Sequence, residues 1–473
     1  MDSSINNKYN INNFNNSFNK NFIIKQSIII NVVDHIEIYK YKIFANKKWI
    51  INLINFLFFI NYNYVMMNNN QCGFNAFTRP VSGLPGNCGP CSGIPGPASV
   101  LPPAPTPMMP LSDPCPLRTF CDPSWKNACG IQPLVNPLGP RRTVTTWKIN
   151  YLISNRVNHA SHTDPDLVNP WGIVIFNNQL WIVNSGTDSI TNYDLFGNKL
   201  LGSITVRSAV QNSSHPTGIA INCGYGFTTS NSTITKSGVL VVCTEHGTVE
   251  VYNPQVDPLV AFCQINQQLT GEINVYRGLA IANNVLYLAD FYQNEIDVFD
   301  GNYNRLFGFT FIDGDSSDPI PIDYAPTNIV NIGCLLYILY ARKDPTVPLQ
   351  AIDGAGNGFI SVFNLDGTFV RRFTSRGVLN NPWGMIPAPP ECGFPPGSFI
   401  VCNRGDGRFN VFDCNGRYVG PMLNQAGLPI VIEGARGMAP HYSDFSEIFF
   451  TSADDENTDG LVGSIVKDQV IYF

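Results

Sequence analysis

Asn169-Pro170-Trp171-Gly172-Ile173-Val174-Ile175 comes back late in the chain as Asn381-Pro382-Trp383-Gly384-Met385-Ile386. Weaker echoes lie between and after: His215-Pro216-Thr217-Gly218-Ile219-Ala220, Tyr276-Arg277-Gly278-Leu279-Ala280, Ala325-Pro326-Thr327-Asn328-Ile329 and Ala435-Arg436-Gly437-Met438-Ala439. A turn-then-strand unit recurring at roughly fifty-residue intervals marks an array of units, each too small to bury its own core.

After each echo the chain keeps a fixed order. First comes a strongly apolar run, at 180–183, 239–242, 285–288, 335–338, 399–401 and 448–450. Such runs, bounded by turn residues, read as strands covered on both faces. An alternating strand is next, as in Thr248-Val249-Glu250-Val251-Tyr252 and Glu295-Ile296-Asp297-Val298-Phe299. Hairpins at Asp300-Gly301, Asp366-Gly367 and Asn415-Gly416 then lead to a fourth, more polar strand, using pairs that favour turns with positive φ. Six units of four antiparallel strands predict an all-β fold, a six-bladed β-propeller over 143–473. The last unit has little room for its fourth strand. Residues 145–153, ahead of the first unit, are expected to supply it and remove an exposed edge. In this fold the glycines after Trp171 and Trp383 allow close backbone approach near the axis, and the tryptophans pack between blades.

Composition agrees. Charged residues are 14% of the chain, with 40 Gly, 35 Pro and 19 Tyr, a balance that suits strands joined by many short turns. Net charge is −6, although the first 65 residues carry seven Lys against three acids. The propeller region is therefore the acidic part, and it lacks the basic face a phosphate backbone requires, so no nucleic-acid partner is expected.

Residues 1–65 hold 15 Asn and 14 Ile with no Pro or Gly, and read as a disordered head or a mis-assigned start before Met66 or Met67. The longest apolar run there, 49–60, is broken by Asn52 and Asn55. It falls short of the ~20 residues a membrane span needs, so none is expected, and it lies too far along the chain for a signal peptide. Residues 66–142 form a Pro/Gly/Cys-rich low-complexity arm. Its six cysteines, Cys72, Cys88, Cys91, Cys115, Cys121 and Cys129, are dense enough to point to an oxidising compartment or an exterior surface. Cys88-Gly89-Pro90-Cys91 has redox-motif spacing without the strand-to-helix setting, and the later cysteines are irregular for zinc. The expectation is a disulfide-stapled attachment arm, paired within the chain or into a disulfide-linked oligomer.

Thr163-Asp164-Pro165-Asp166-Leu167-Val168-Asn169-Pro170-Trp171-Gly172-Ile173 resembles the opening of an uncharacterised family of bacterial β-propellers, often secreted or carrying a C-terminal exosortase sorting signal. The stretch 451–465, with Asp454-Asp455-Glu456-Asn457-Thr458-Asp459-Gly460, is similar to the last blade of that family. The likeness runs over about 150–468, and the short Pro-x-Gly-Ile units look like NHL-repeat propellers. The resemblance implies a six-bladed fold and brings no catalytic residues with it. The Asn-rich head, the Cys/Pro arm and the lack of a sorting tail are departures. The AT-rich coding style of the head, with the arm and the added propeller, points to a particle protein of a large DNA virus.

Ligands on such a ring are expected where inner strands meet the channel. The polar residues at those starts are Asn169, His215, Tyr276, Arg277, Asn381 and Arg436, with Asn328 beside them. Asn and His there could ligate Ca²⁺, as in lactonase-type propellers, whereas a hard cation prefers several carboxylates. The Glu-Gly-Pro-x-Trp opening of the gluconolactonase group is absent. The plainer reading of Arg277 and Arg436 is a salt bridge to a neighbouring loop. Asp454, Asp455, Glu456 and Asp459 form the best acidic cluster for a metal, with Asp313, Asp315 and Asp318 second; neither has full EF-hand spacing. There is no paired-His spacing, Gly-x-Ser-x-Gly elbow or phosphate loop. The expected function is a non-enzymatic structural or interaction module, virion-associated or extracellular, engaging a protein or glycan at a particle or cell surface. The alternative is a metal-dependent hydrolase of lactonase or esterase type at the channel mouth, with Ca²⁺ as the possible cofactor.

Overall fold

A computed structural model describes residues 143–207, 213–389, 392–441, 446–453 and 457–472. The Asn/Ile-rich head and the arm with Cys72, Cys88, Cys91, Cys115, Cys121 and Cys129 lie outside the described residues, as do Asp454, Asp455 and Glu456.

The described residues form a six-bladed β-propeller with no α-helix; a 3-10 turn, Gln267–Thr270, sits between blades 2 and 3. The six repeated motifs open the six inner strands: Pro170–Phe176, Pro216–Ile221, Tyr276–Ala282, Tyr324–Ile332, Pro382–Pro387 and Ala435–Pro440. Each pairs antiparallel with the apolar strand that comes after it, as in Leu240↔Ile221 and Leu336↔Asn331. Those second strands are buried almost throughout: Leu240–Thr244 and Phe399–Asn403 have no exposed residue. Odd and even side chains feed the cores on either side. Leu240, Val242 and Tyr252 pack toward blade 1, while Val241, Val249 and Val251 pack toward blade 3.

A glycine is required where inner strands approach one another. A Cβ on Gly172 would lie 2.9 Å from the Thr217 carbonyl of blade 2, and one on Gly384 or Gly437 would strike the carbonyl of Arg436 or Trp171 on the next blade. Blade 4 has Asn328 at this point instead. Its Nδ2 donates to the Trp383 carbonyl at 2.7 Å, so a side chain clips blade 4 to blade 5 where a bare backbone serves elsewhere.

The ring closes as the sequence predicts. Thr143–Ser154 is the fourth strand of blade 6, antiparallel to Leu461–Tyr472 through pairs such as Lys148↔Val466 and Ile149↔Ile465. Trp147 anchors it, fully buried among Ile400, Phe409, Met422 and Phe450 of blades 5 and 6. Burial of a large apolar side chain contributes roughly 1.5–3 kcal/mol, so the clasp is fastened by packing as well as by its ladder.

Three details depart from the expected plan. Blade 3 has three full strands, Tyr276–Ala282, Val285–Asp290 and Glu295–Asp300; its fourth is reduced to a single bridge, Phe299↔Arg305. The chain leaves there because Phe309 and Phe311 turn inward onto Tyr287 and Phe363. Blades 1 and 2 are joined along their outer edges. Ile204–Val206 runs parallel to Val260–Asn266, through Thr205↔Val260 and Val206↔Ala261, giving one eight-stranded sheet. Trp171 and Trp383 do more than pack between blades: their rings touch each other, edge to face, at 5.8 Å and 74°. Blade 6 lies between their blades in chain order, so the contact reaches across the channel opening.

Candidate functional site: the channel mouth

The central channel is walled by the six inner strands, including Val174, Ala220, Ile281, Val330, Met385 and Met438, around a cavity of about 210 Å³. No ionisable side chain is among its lining residues. Ligand pockets usually span about 300–1,000 Å³ with a few convergent polar groups. This bore is narrow and mainly apolar, with Asn328 and Asn331 as its polar side chains, and its described lining holds no ionisable group. The polar chemistry is at the mouth, where the inner strands begin.

The residues singled out there fall into two groups. Asn169, His215 and Asn381 have backbone φ of 50°, 49° and 49°, and Gly434 takes 60° at the matching point of blade 6. This left-handed conformation is costly for most residues and best tolerated by Gly and Asn, so these positions shape the turn into the strand. Their side chains are also committed. The Asn381 amide donates to Asp353 at 2.9 Å, Asn169 Oδ1 accepts from Arg436 at 2.5 Å, and His215 Nδ1 lies 3.1 Å from the Ser185 carbonyl. The Tyr276 hydroxyl points away from the mouth and donates to Asp297 at 2.6 Å in the blade 3 core.

The second group is cationic and occupies the residue just before the motif glycine. Arg277 stands where blades 1 and 5 carry Trp171 and Trp383, and so does Arg436. Thr217, at the same point in blade 2, and Thr327 of blade 4 turn aside to donate to the Tyr276 and Pro382 carbonyls. Arg436 is fully buried. It covers the Trp171 ring at 4.4 Å, reaches the Pro170 carbonyl at 3.2 Å, and donates to Asn169 and Asn457. Arg277 does reach a neighbouring loop: its Nε is 3.4 Å from Glu245 of blade 2, and its guanidinium lies 4.0 Å over Phe291 and donates to the Leu349 carbonyl. Burial pulls the basicity of Arg277 below that of an ordinary guanidinium. Glu245 opposes the shift, and the like charge of Arg404 adds to it.

Sequence reasoning did not find Arg404, nor the blade 4 loop beside it. Arg404 belongs to the turn Asn403-Arg404-Gly405-Asp406 after the second strand of blade 5. Its guanidinium sits 6.0 Å over Trp171 and its buried Nε has no hydrogen-bond partner. The loop runs over 343–358, where blades 1, 2, 3 and 5 use tight turns. It lays Leu349 against Arg277, Asp353 against Asn381 and the Gly354 amide on Asn380 at 2.7 Å. Lys343 at its root donates to the Tyr292 carbonyl at 2.7 Å. His246 completes the blade 2 side, edge-on to His215 at 5.2 Å.

At the mouth the carboxylates of Asp353 and Glu245 are held by Asn381 and Arg277, and among the described residues no three His, Cys, Asp or Glu groups gather to hold an ion. Asp459 pairs with Arg156. Asp313 and Asp318 pair with Arg372 at 2.8 and 3.4 Å, and Asp318 also with Arg376, which explains that cluster as a tie between blades 3 and 4. Asp164 and Asp166 of the opening motif hold Lys199 at 2.9 and 2.8 Å, and Tyr193 donates to Asp164 at 2.6 Å.

Comparison with known proteins gives viral relatives. The chain is 70% identical over 408 residues to uncharacterized protein R648 of Acanthamoeba polyphaga mimivirus, covering 86% of this chain and 100% of that protein. It is 70% identical over 364 residues to uncharacterized protein L690 of the same virus, covering 77% and 97%. No family model matches, so the likeness to bacterial secreted propellers rests on the quoted residues alone. Among solved structures, a virginiamycin B lyase from Staphylococcus aureus aligns with 68% of this chain and 99% of its own at 9% identity and a TM-score of 0.41. A gluconolactonase from Xanthomonas campestris aligns with 70% and 91% at 13% identity and a TM-score of 0.38. Likenesses of this size carry nothing about chemistry.

Proposed function

Because the chain belongs to the Acanthamoeba polyphaga mimivirus family that includes R648 and L690, we propose that it is a non-enzymatic binding propeller of a virus particle. In this reading the Cys/Pro-rich arm attaches it, and the mouth face of the ring engages a protein or glycan partner. The observation that carries the non-enzymatic part is the division of the channel. Its bore has no ionisable lining residue, and the polar groups at its mouth are bound up in turn geometry and inter-blade contacts. Viral relatives and the density of arm cysteines support the location.

The test uses purified particles, resolved on gels with and without reductant and then subjected to sequencing of the mature N-terminus. The expected result is the protein in the particle, shifting to lower apparent mass on reduction. Its absence from particles would overturn the location. Turnover of any member of a lactone and ester panel by the purified chain, lost in Asn381→Ala and His215→Ala, would overturn the non-enzymatic reading.

A further inference from the structure

We propose that His215 and His246, on the blade 2 side of the channel mouth, form a two-imidazole site for a divalent transition-metal ion of the Zn²⁺ or Cu²⁺ class. The site goes beyond the binding-module reading and does not depend on where in the virus the protein resides.

Two separate stretches of blade 2 set the rings. His215 ends the loop into the inner strand Pro216–Ile221, and His246 is in the turn between Leu240–Thr244 and Thr248–Tyr252. Backbone bonds fix both places. Glu245 N donates to the His215 carbonyl at 3.0 Å, His215 N to Asp188 at 2.8 Å, and Gln268 Nε2 to the His246 carbonyl at 2.7 Å. Each ring is then oriented through one nitrogen. His215 Nδ1 faces the Ser185 carbonyl at 3.1 Å, and His246 Nδ1 faces the Ser213 carbonyl at 2.7 Å. A carbonyl only accepts, so each Nδ1 carries the proton and each Nε2 keeps a bare lone pair. Among the described residues neither Nε2 has a hydrogen-bond partner, and both histidines are half-buried. An imidazole held by its Nδ1–H on a carbonyl, with Nε2 open, is the arrangement of a metal-ligating histidine.

The spacing fits one ion. The ring centres are 5.2 Å apart and the planes meet at 75°. A tetrahedral ion about 2.1 Å from each nitrogen sets two imidazole centres about 5 Å apart. The turn itself does not require histidine at 215, since Asn169 and Asn381 take the same left-handed φ in blades 1 and 5. Ligand type narrows the metal: imidazole nitrogen suits Zn²⁺, Cu²⁺ and Ni²⁺, whereas Ca²⁺ and Mg²⁺ want oxygen. Asp188, bonded to the His215 amide, and Glu245, next to His246, add negative charge nearby, although Arg277 draws on Glu245. With two protein ligands, the other positions on the ion are left to water.

Electron paramagnetic resonance of Cu²⁺ added to the untagged full chain, with its accessible thiols alkylated, tests this. One equivalent should show hyperfine coupling to two imidazole nitrogens. His215→Asn, which keeps the turn as Asn169 and Asn381 do, should reduce the coupling to one nitrogen, and so should His246→Gln. In calorimetric titrations of the same samples, each variant should bind Zn²⁺ about tenfold or more weakly than the parent. Zn²⁺ should raise the thermal midpoint of the parent and leave the variants where they stand. Coupling to fewer than two nitrogens in the parent overturns the site, whether or not a variant folds. Two-nitrogen coupling or Zn²⁺ affinity undiminished in both variants overturns it as well.

Discussion

Trp171 and Trp383 stand at corresponding positions of blades 1 and 5, and their rings meet edge to face at 5.8 Å. Both belong to one apolar cluster with Trp181, Ile190, Ile221 and Val242. The two best-kept copies of the repeat are thus also physical partners.

Removing either ring should cost stability as a core truncation does. Trp171→Ala and Trp383→Ala are each expected to lower unfolding free energy by about 3–5 kcal/mol. The two should not add. A double-mutant cycle by urea unfolding should return a coupling of about 0.5–1.5 kcal/mol, the usual worth of an aromatic pair. Strict additivity would show that the rings do not sense each other.

Gly384→Ala should be more damaging than its one methyl suggests. The new Cβ collides with the Arg436 carbonyl, which is backbone of the next inner strand and cannot swing aside. A loss of about 1–3 kcal/mol or more is expected from overpacking, read from the denaturant midpoint. Gly271→Ala is the control for close approach. No atom lies near its Cβ, so only the strain of its φ of 81° should register. Equal losses in the two variants would refute close approach as the reason for the motif glycine.

Glu250 should give the fold a pH dependence. It is fully buried on the third strand of blade 2, where burial pushes its carboxyl up to about 8 despite hydrogen bonds from Thr248 and Cys263. A carboxyl raised above its ordinary 4.5 contributes stability in full below that value and loses it as pH rises through the folded one. Unfolding free energy should therefore fall between about pH 5 and 8, by up to ~1.4 kcal/mol per pH unit from this group. Glu250→Gln should flatten that stretch in denaturant titrations at successive pH values. An unchanged slope would assign the effect to other groups.

Deleting residues 143–154 should open the ring. It bares the edge of Leu461–Tyr472 and removes Trp147 from its core, and bare edges invite association. Light scattering should report oligomers or aggregate where the parent is uniform. A deletion variant of the parent's size and thermal midpoint would mean that the clasp is dispensable.

The fold was legible because each blade repeats two independent signals, the motif and the doubly apolar strand behind it. Closure was legible because the strand-like run 145–153 stood unclaimed before the first motif. The site was less so. Asn169 and Asn381 read as ligands by residue type, yet Asn is also the residue that best tolerates the left-handed turn they occupy. A clue was present: Gly434 stands at the same point in blade 6, and glycine cannot ligate through a side chain. Arg404 gave no periodic signal, since it sits in a turn whose sequence differs in every blade. The thinning of blade 3 depended on where Phe309 and Phe311 pack, a long-range matter that local pattern does not encode.

The parallel pairing of Ile204–Val206 with Val260–Asn266 has a dynamic consequence. In a simple propeller each blade can detach from its neighbours by losing side-chain packing alone. Here, lifting blade 1 from blade 2 also breaks backbone hydrogen bonds such as Thr205 N to the Leu259 carbonyl at 2.8 Å. Cooperative opening units track such continuous ladders. The smallest piece that opens on this side of the ring is therefore a pair of blades, and amides along Thr205, Val206 and Ala261 should exchange together, at the rate of that pair.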